Sequence, residues 1–148
     1  EFRRVLFRSR TNIFLTRKIP RRARFSEEKY FSREKIKILY SHARVFACPS
    51  LYEPFGIINL EAMACEVPVI STNTGGIPEV NIHGVTGFLS NVGDVDDMAK
   101  HALELLTNDE MLKTFKANAL KKAQEFQLDL ILPMYEKVYE GLLKSPNH

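Results

Sequence analysis

The chain has 148 residues, 45% of them apolar, which is enough for one domain with a core of its own. It has no apolar run of about 18 residues, so no membrane-spanning helix is expected, and Val5-Leu6-Phe7 is too short for the apolar part of a secretory signal. The net charge of +3 hides an asymmetry, because residues 1–24 carry a net +8 and the remainder a net −5.

Taken literally, a basic arm on an acidic domain fits nucleic acid or anionic lipid. Part of that arm has another expected origin. Glu1 to Ser9, EFRRVLFRS, is the translation of a common sequencing-library adapter. Residues 1–9 are therefore read as a non-native artefact, and residues 10–148 as the domain, entered part-way along a longer reading frame. Asn12-Ile13-Phe14-Leu15 is a short β-like run that Pro20 stops. Residues 21–32 are basic and polar without periodicity and read as a loop. From Arg33 the apolar positions Ile36, Leu39, Tyr40 and Ala43 recur at helical spacing behind an N-cap at Ser32. Val45-Phe46-Ala47-Cys48 is the continuous apolar run of a strand buried on both faces.

The stretch from Ser50 to Gly76 follows, SLYEPFGIINLEAMACEVPVISTNTGG, and it concentrates the chemistry. Pro54 removes a backbone donor and restrains Glu53, so the strand stops there. Gly56 stands where a helix can begin, and Ile57, Leu60, Met63 and Ala64 are expected to pack inward from it. The N–H groups of Gly56, Ile57 and Ile58 would point out of the helix N-terminus, where phosphate oxygens bind well. Glu53 and Glu61, with seven residues between them, would accept hydrogen bonds from vicinal hydroxyls. That combination suits a nucleotide sugar.

Beyond it, Val67-Pro68-Val69-Ile70-Ser71 reads as a second buried strand, and Thr74-Gly75-Gly76-Ile77-Pro78-Glu79 as a glycine turn into a short helix. Gly84 and Gly87 bracket a turn before a short edge strand at Phe88-Leu89. Three helices close the chain. Asp94 caps the first, with Val95, Met98, Ala99, Ala102 and Leu106 inside. Asn108 caps the second, which packs Leu112, Phe115, Ala119, Ala123 and Phe126. The third starts at Asp129 and buries Leu132, Tyr135, Tyr139 and Leu142. The alternation predicts an α/β fold, a Rossmann-like doubly wound parallel sheet, with ligands outside the carboxyl ends of its strands. Cys48 and Cys65 read as two buried free thiols, in keeping with a cytoplasmic protein. A nicotinamide dehydrogenase on such a sheet would need a G-x-G-x-x-G after a strand, and the sequence has none.

The residues YEPFGIINLEAMA, TGGIPEV and HGVTGFL resemble the donor-binding domain of retaining glycosyltransferases of family 4, which have the GT-B fold. The resemblance runs from about Ile36 to Leu143 and implies a truncated C-terminal half of such an enzyme. It implies that Glu53 lies against the donor sugar and Glu61 against the ribose hydroxyls. Amides at Phe55, Gly56 and Ile57 would reach the sugar or β-phosphate, and those at Gly56 to Ile58 the diphosphate. Gly75 and Gly76 would edge the same cleft. The family uses no metal and no cofactor beyond its sugar-nucleotide substrate. The basic pair on the diphosphate, the acceptor domain and its histidine would lie outside this segment, so Arg17, Lys18, His42, His83, His101 and His148 are given no role. Glu66 stands where many relatives have glycine. The segment from Ser71 to Leu106 resembles members that transfer N-acetylglucosamine from UDP-N-acetylglucosamine to L-malate. The segment around Tyr52 to Met63 is more like ADP-glucose-dependent synthases of glycogen or maltose-1-phosphate.

Overall fold

The computed structural model describes residues 5–8, 13–16 and 32–143. Pro20, Arg17, Lys18, His148 and, apart from Ser32, the loop expected over residues 21–32 lie outside the described residues.

Five strands make one sheet in the order β1 (Val5–Arg8), β2 (Ile13–Thr16), β3 (Val45–Cys48), β4 (Val69–Thr72), β5 (Gly87–Ser90). The last three are parallel, with Phe46 opposite Val69 and Val69 opposite Gly87. The first two are antiparallel additions at the other edge, so the sheet is mixed. The β2 residues answer the run expected from Asn12 to Leu15, shifted by one position. Strand order follows chain order, so no reversal point occurs among the described strands.

Alternation along these strands divides the core in two. Phe46, Cys48 and Val69 face α1 (Arg33–His42) and α2 (Ile57–Ala64), packing with Leu39, Tyr40, Ala62 and Met63. Val45, Ile70 and Phe88 point the other way, against α4 (Val95–Thr107) and α5 (Asp109–Gln124), meeting Leu105, Leu106, Leu112 and Phe115. Successive strand residues point to opposite faces, so a sheet covered on both sides favours apolar strands; β3 is apolar throughout, while β4 ends in Ser71-Thr72 and β5 in Ser90. Between β4 and β5 runs the short α3 (Ile77–Val80), with proline in its first turn.

The capping expectations hold. Ser32 accepts from the Lys35 N–H, Asp94 from Asp97 and Asn108 from Met111. Three packing expectations need correction. α2 does not bury Ile57 or Ala64; its inward face is Asn59, Ala62 and Met63, because the helix lies on β3 and β4 along that line. In α4, Val95 and Ala99 are exposed, and Leu105 joins Leu106 in the core. The largest departure is α6 (Leu128–Leu143), which buries nothing: Leu132, Tyr135, Tyr139 and Leu142 are all exposed. Among the described residues no element covers that face. Of the two free thiols, Cys48 is buried and Cys65 half-buried.

Glu66 closes α2 with φ +58°, the left-handed conformation glycine usually supplies at this position. Its N–H donates to the Met63 carbonyl at 3.0 Å and that of Val67 to Ala62 at 3.1 Å. The turn thus forms the tight double-bonded helix end without its glycine.

Candidate donor-binding cleft

β3 and β4 each release a loop at their carboxyl ends, and the two loops are tied to one another. The Thr72 hydroxyl donates to the Ser50 carbonyl at 2.5 Å and the Thr74 hydroxyl to Leu51 at 3.4 Å. The Gly76 N–H donates to the Glu53 carbonyl at 3.1 Å. The approach leaves no room for a side chain on the β4 loop. A Cβ on Gly75 would lie 2.0 Å from the Glu53 carbonyl oxygen, and one on Gly76 would lie 2.4 Å from that of Pro54. Glu53-Pro54 is thereby fixed by backbone contacts from behind.

Gly56 then turns the chain into α2 with φ +97° and ψ 38°, left-handed torsions that an L side chain rarely adopts. Its carbonyl accepts from the N–H groups of Asn59 and Leu60. Its own N–H is taken by Glu53 Oε1 at 3.3 Å. Of the three N–H groups expected to be free, Gly56 is therefore engaged. Those of Ile57 and Ile58 have no partner among the described residues and carry the positive end of the helix. Tyr40 holds this turn from below, its buried phenol donating to the Ile58 carbonyl at 3.3 Å. Burial pushes the Tyr40 hydroxyl far above its usual range, so it remains a neutral donor.

A cleft of about 640 Å³ opens over this turn, lined by Ser50, Tyr52, Glu53, Pro54, Phe55, Ile57, Ile58 and Glu61. Both glutamates reach it, together with Phe55, Ile57 and Ile58. Gly56 is buried behind the lining, and Gly75 and Gly76 back the cleft through their close approach to Glu53 and Pro54. Burial also pushes the Cys48 thiol up, and Glu53 adds to the shift, so this cysteine is a neutral thiol near the cleft. A larger cavity of about 780 Å³ adjoins the cleft, sharing Phe55, Ile57 and Glu61, and is bounded by α2, the end of α5 and α6. Its lining is apolar apart from Glu61, Gln127 and the Tyr135 hydroxyl, and it follows from α6 standing away from the body.

Sequence reasoning missed the side chains that set the cleft from outside it: Thr72 and Thr74, which join the loops, and Tyr40 beneath α2. A hydroxyl ending an otherwise apolar parallel strand, as at Thr72, was the available signal. His83, expected as a loop residue, is exposed and accepts the Leu89 N–H at 3.1 Å.

Parallel strands β3–β5, whose carboxyl ends carry two tied loops and a glycine-started helix, make a Rossmann-like α/β arrangement. Residues 15–122 match the profile of the glycosyl transferases group 1, and the chain belongs to that family. It is 43% identical over 94 residues to the N-acetyl-alpha-D-glucosaminyl L-malate synthase of Bacillus anthracis, a match covering 63% of this chain and 25% of that enzyme. Identity with the alpha-maltose-1-phosphate synthase of Mycobacterium tuberculosis H37Rv is 48% over 71 residues, 48% of this chain and 18% of that one. Among solved structures, sucrose-phosphate synthase from Thermosynechococcus elongatus superposes with TM-score 0.72 at 31% identity, over 78% of this chain and 29% of the other. Anabaena HepE in complex with UDP-glucose gives 0.63 at 28%, over 76% and 31%. The chain thus spans less than a third of each of these proteins. Among the described residues no helix is long and apolar enough to cross a membrane.

Proposed function

We propose that this segment binds the donor in a retaining, nucleotide-sugar-dependent glycosyltransferase of family 4. One observation carries the reading: Glu53 and Glu61 line a single cleft together with Ile57 and Ile58, whose N–H groups have no partner among the described residues. A carboxylate accepts several hydrogen bonds and donates none, which matches a vicinal diol. Glu61 takes the ribose hydroxyls and Glu53 the transferred sugar. The start of α2, from Phe55 to Ile58, takes the diphosphate, and Gly75 and Gly76 hold the Glu53 loop in place. Charge on the leaving diphosphate is met by this helix end and by basic residues elsewhere in the parent enzyme, with no metal.

The acceptor side of the cleft belongs, in this reading, to a further domain of the same enzyme, in the cytoplasm, with no nucleic-acid partner. The bare apolar face of α6 supports such a neighbour. The 148-residue chain alone is accordingly expected to turn over no sugar nucleotide, since donor and acceptor must be held in one geometry.

For substrates the reading is transfer of N-acetylglucosamine from UDP-N-acetylglucosamine to L-malate, supported by the longer match to the malate synthase. The second reading, an ADP-glucose-dependent synthase of glycogen or maltose-1-phosphate, has the higher identity over a shorter stretch in its favour. The test is the full-length parent with UDP-N-acetylglucosamine or ADP-glucose, each offered malate, glucose-1-phosphate and glycogen. Transfer to malate is expected; transfer from ADP-glucose to glucose-1-phosphate or glycogen with none to malate selects the second reading. In the same enzyme Glu61→Ala should raise KM roughly ten- to a hundredfold, because a hydrogen bond to a charged group is worth about 1.5–3 kcal/mol. Glu53→Ala should lower kcat more than it raises KM. Small, equal effects from both would remove them from the ligand.

A further inference from the structure

Two asparagines in this fold have no exposed surface at all, Asn59 and Asn81. Their side chains are treated in opposite ways. The two hydrogens of Asn81 Nδ2 are shared among three acceptors, the Val69 and Phe88 carbonyls, both at 3.1 Å, and Ser71 Oγ at 2.7 Å, while its Oδ1 accepts the Thr86 hydroxyl at 2.9 Å. That amide is saturated and fastens β4 to β5. Neither Oδ1 nor Nδ2 of Asn59 has a hydrogen-bond partner among the described residues. A buried amide with nothing to bond is costly, and native folds seldom tolerate one without a use.

Its position indicates the use. Asn59 sits in the first turn of α2, on the face turned away from the cleft. A Cβ on Gly56 would lie 3.0 Å from Asn59 Nδ2 and 3.6 Å from Ile77 Cγ1, so the amide is packed where the Gly56 turn meets the start of α3. The two cleft loops are bonded to each other through Ser50, Leu51 and Glu53. At the Gly56–Asn59–Ile77 junction, by contrast, the Asn59 amide is left unmatched. The Gly56 carbonyl is held by the Asn59 and Leu60 N–H groups, but its own N–H is held only by the long 3.3 Å contact to Glu53 Oε1. A ligand that draws the Glu53 carboxylate away releases that N–H and lets the turn re-settle.

We propose that Asn59 is a positioning residue whose amide hydrogen-bonds the backbone of the Gly56 turn only when a nucleoside diphosphate occupies the N-terminus of α2. It touches no ligand atom. It makes the nucleotide-bound arrangement of the turn the one in which a buried amide is satisfied. The inference rests on the nucleotide-sugar reading given above and deepens it.

The experiment uses the full-length parent enzyme with UDP and ADP as probes, in wild type, Asn59→Leu, Asn59→Ala and, as control, Glu61→Ala. Asn59→Leu removes both unpaired atoms at similar shape. It is expected to melt at or above the wild-type temperature without nucleotide, yet to bind the preferred diphosphate at least tenfold more weakly by calorimetry. Asn59→Ala, which leaves a small cavity, is expected to melt lower but to show the same loss of affinity. In the wild type, exchange of the Asn59 side-chain amide protons should slow on adding nucleotide, and Glu61→Ala should bind poorly without altering this amide in the free enzyme. Wild-type affinity in both Asn59 variants overturns the proposal, as does an Asn59→Leu protein that melts several degrees lower, since the amide would then be paired already. If the wild type binds neither UDP nor ADP, the nucleotide reading itself falls, and this inference with it.

Discussion

Glu66 and Gly75 adopt nearly the same left-handed backbone, φ +58° and φ +55°, nine residues apart, and the protein fills one with glutamate and the other with glycine. Torsion alone cannot explain the choice. Glu66 is exposed at the end of α2, where a side chain runs into water. Gly75 faces the Glu53 carbonyl so closely that a Cβ would stand 2.0 Å from its oxygen. Left-handed torsions cost an ordinary residue about 1–2 kcal/mol, which a stable domain can carry. A methyl driven into a backbone carbonyl can be relieved only by moving one of the two loops. The glycine at 75 is thus required by space and the glycine missing at 66 is only preferred by torsion. The first supports the cleft; the second ends a helix.

The sharpest way to break this comparison is Gly75→Ala. Overpacking costs about 1–3 kcal/mol, and left-handed strain adds a similar amount. At roughly 2–4 °C per kcal/mol for a chain of this size, the thermal midpoint should fall by about 5 °C or more. The displaced Glu53 loop should also bind nucleotide less well. A variant that melts within a degree of the wild type would show that the loops can part without cost, and the spatial argument would fail.

Much of this was legible in the sequence, and the limits have physical causes. The buried strands at Val45 and Val69 announce themselves because a parallel sheet covered on both faces demands continuous apolar runs. Pro54, Gly56 and the two glutamates mark the cleft because each has a backbone or charge property that few other residues share. The inward face of α2 was misread because Ile57 and Ala64 fit the helical period as well as Asn59 does, and apolarity favoured them. Nothing in a one-dimensional pattern says that an asparagine is the buried member. The aromatic stripe of α6 was read as core for a related reason. Periodicity shows that a face is apolar and cannot show what covers it. The hydroxyl ties at Thr72 and Thr74 depend on residues 22 and 23 positions apart meeting in space, which spacing does not encode.

A smaller effect sharpens the comparison from its other side. Glu66→Gly should stabilise the chain, since it removes left-handed strain of about 1–2 kcal/mol. The gain is partly offset by the greater freedom glycine gives the unfolded chain, about 0.4–1 kcal/mol. The net should be about 1 kcal/mol or less, a rise of a few degrees at most in the midpoint, with nucleotide affinity unchanged. A loss of stability would mean that the Glu66 side chain does something at the surface that its torsion outweighs, and the two turns would no longer differ for the reason given.

The smallest effect is expected at the far edge of the sheet. Residues 1–9 are proposed to be foreign to the domain, yet Val5–Arg8 pairs antiparallel with β2, Val5 opposite Thr16 and Arg8 opposite Ile13. The family match begins at residue 15, after this strand has ended. Pairing does not by itself stabilise. Each net hydrogen bond is worth about 0.5–1.5 kcal/mol, while ordering each residue costs about 1–2 kcal/mol in backbone entropy. A four-residue strand at an edge therefore comes out near zero unless its side chains add burial. β2 keeps its other neighbour, β3, through Ile13, Phe14 and Leu15 when β1 is removed. Deleting residues 1–9 should accordingly leave the thermal midpoint unchanged within error, in contrast to one methyl added at Gly75. A fall of several degrees would instead mark β1 as part of the native sheet, and the adapter reading of Glu1 to Ser9 would have to be given up.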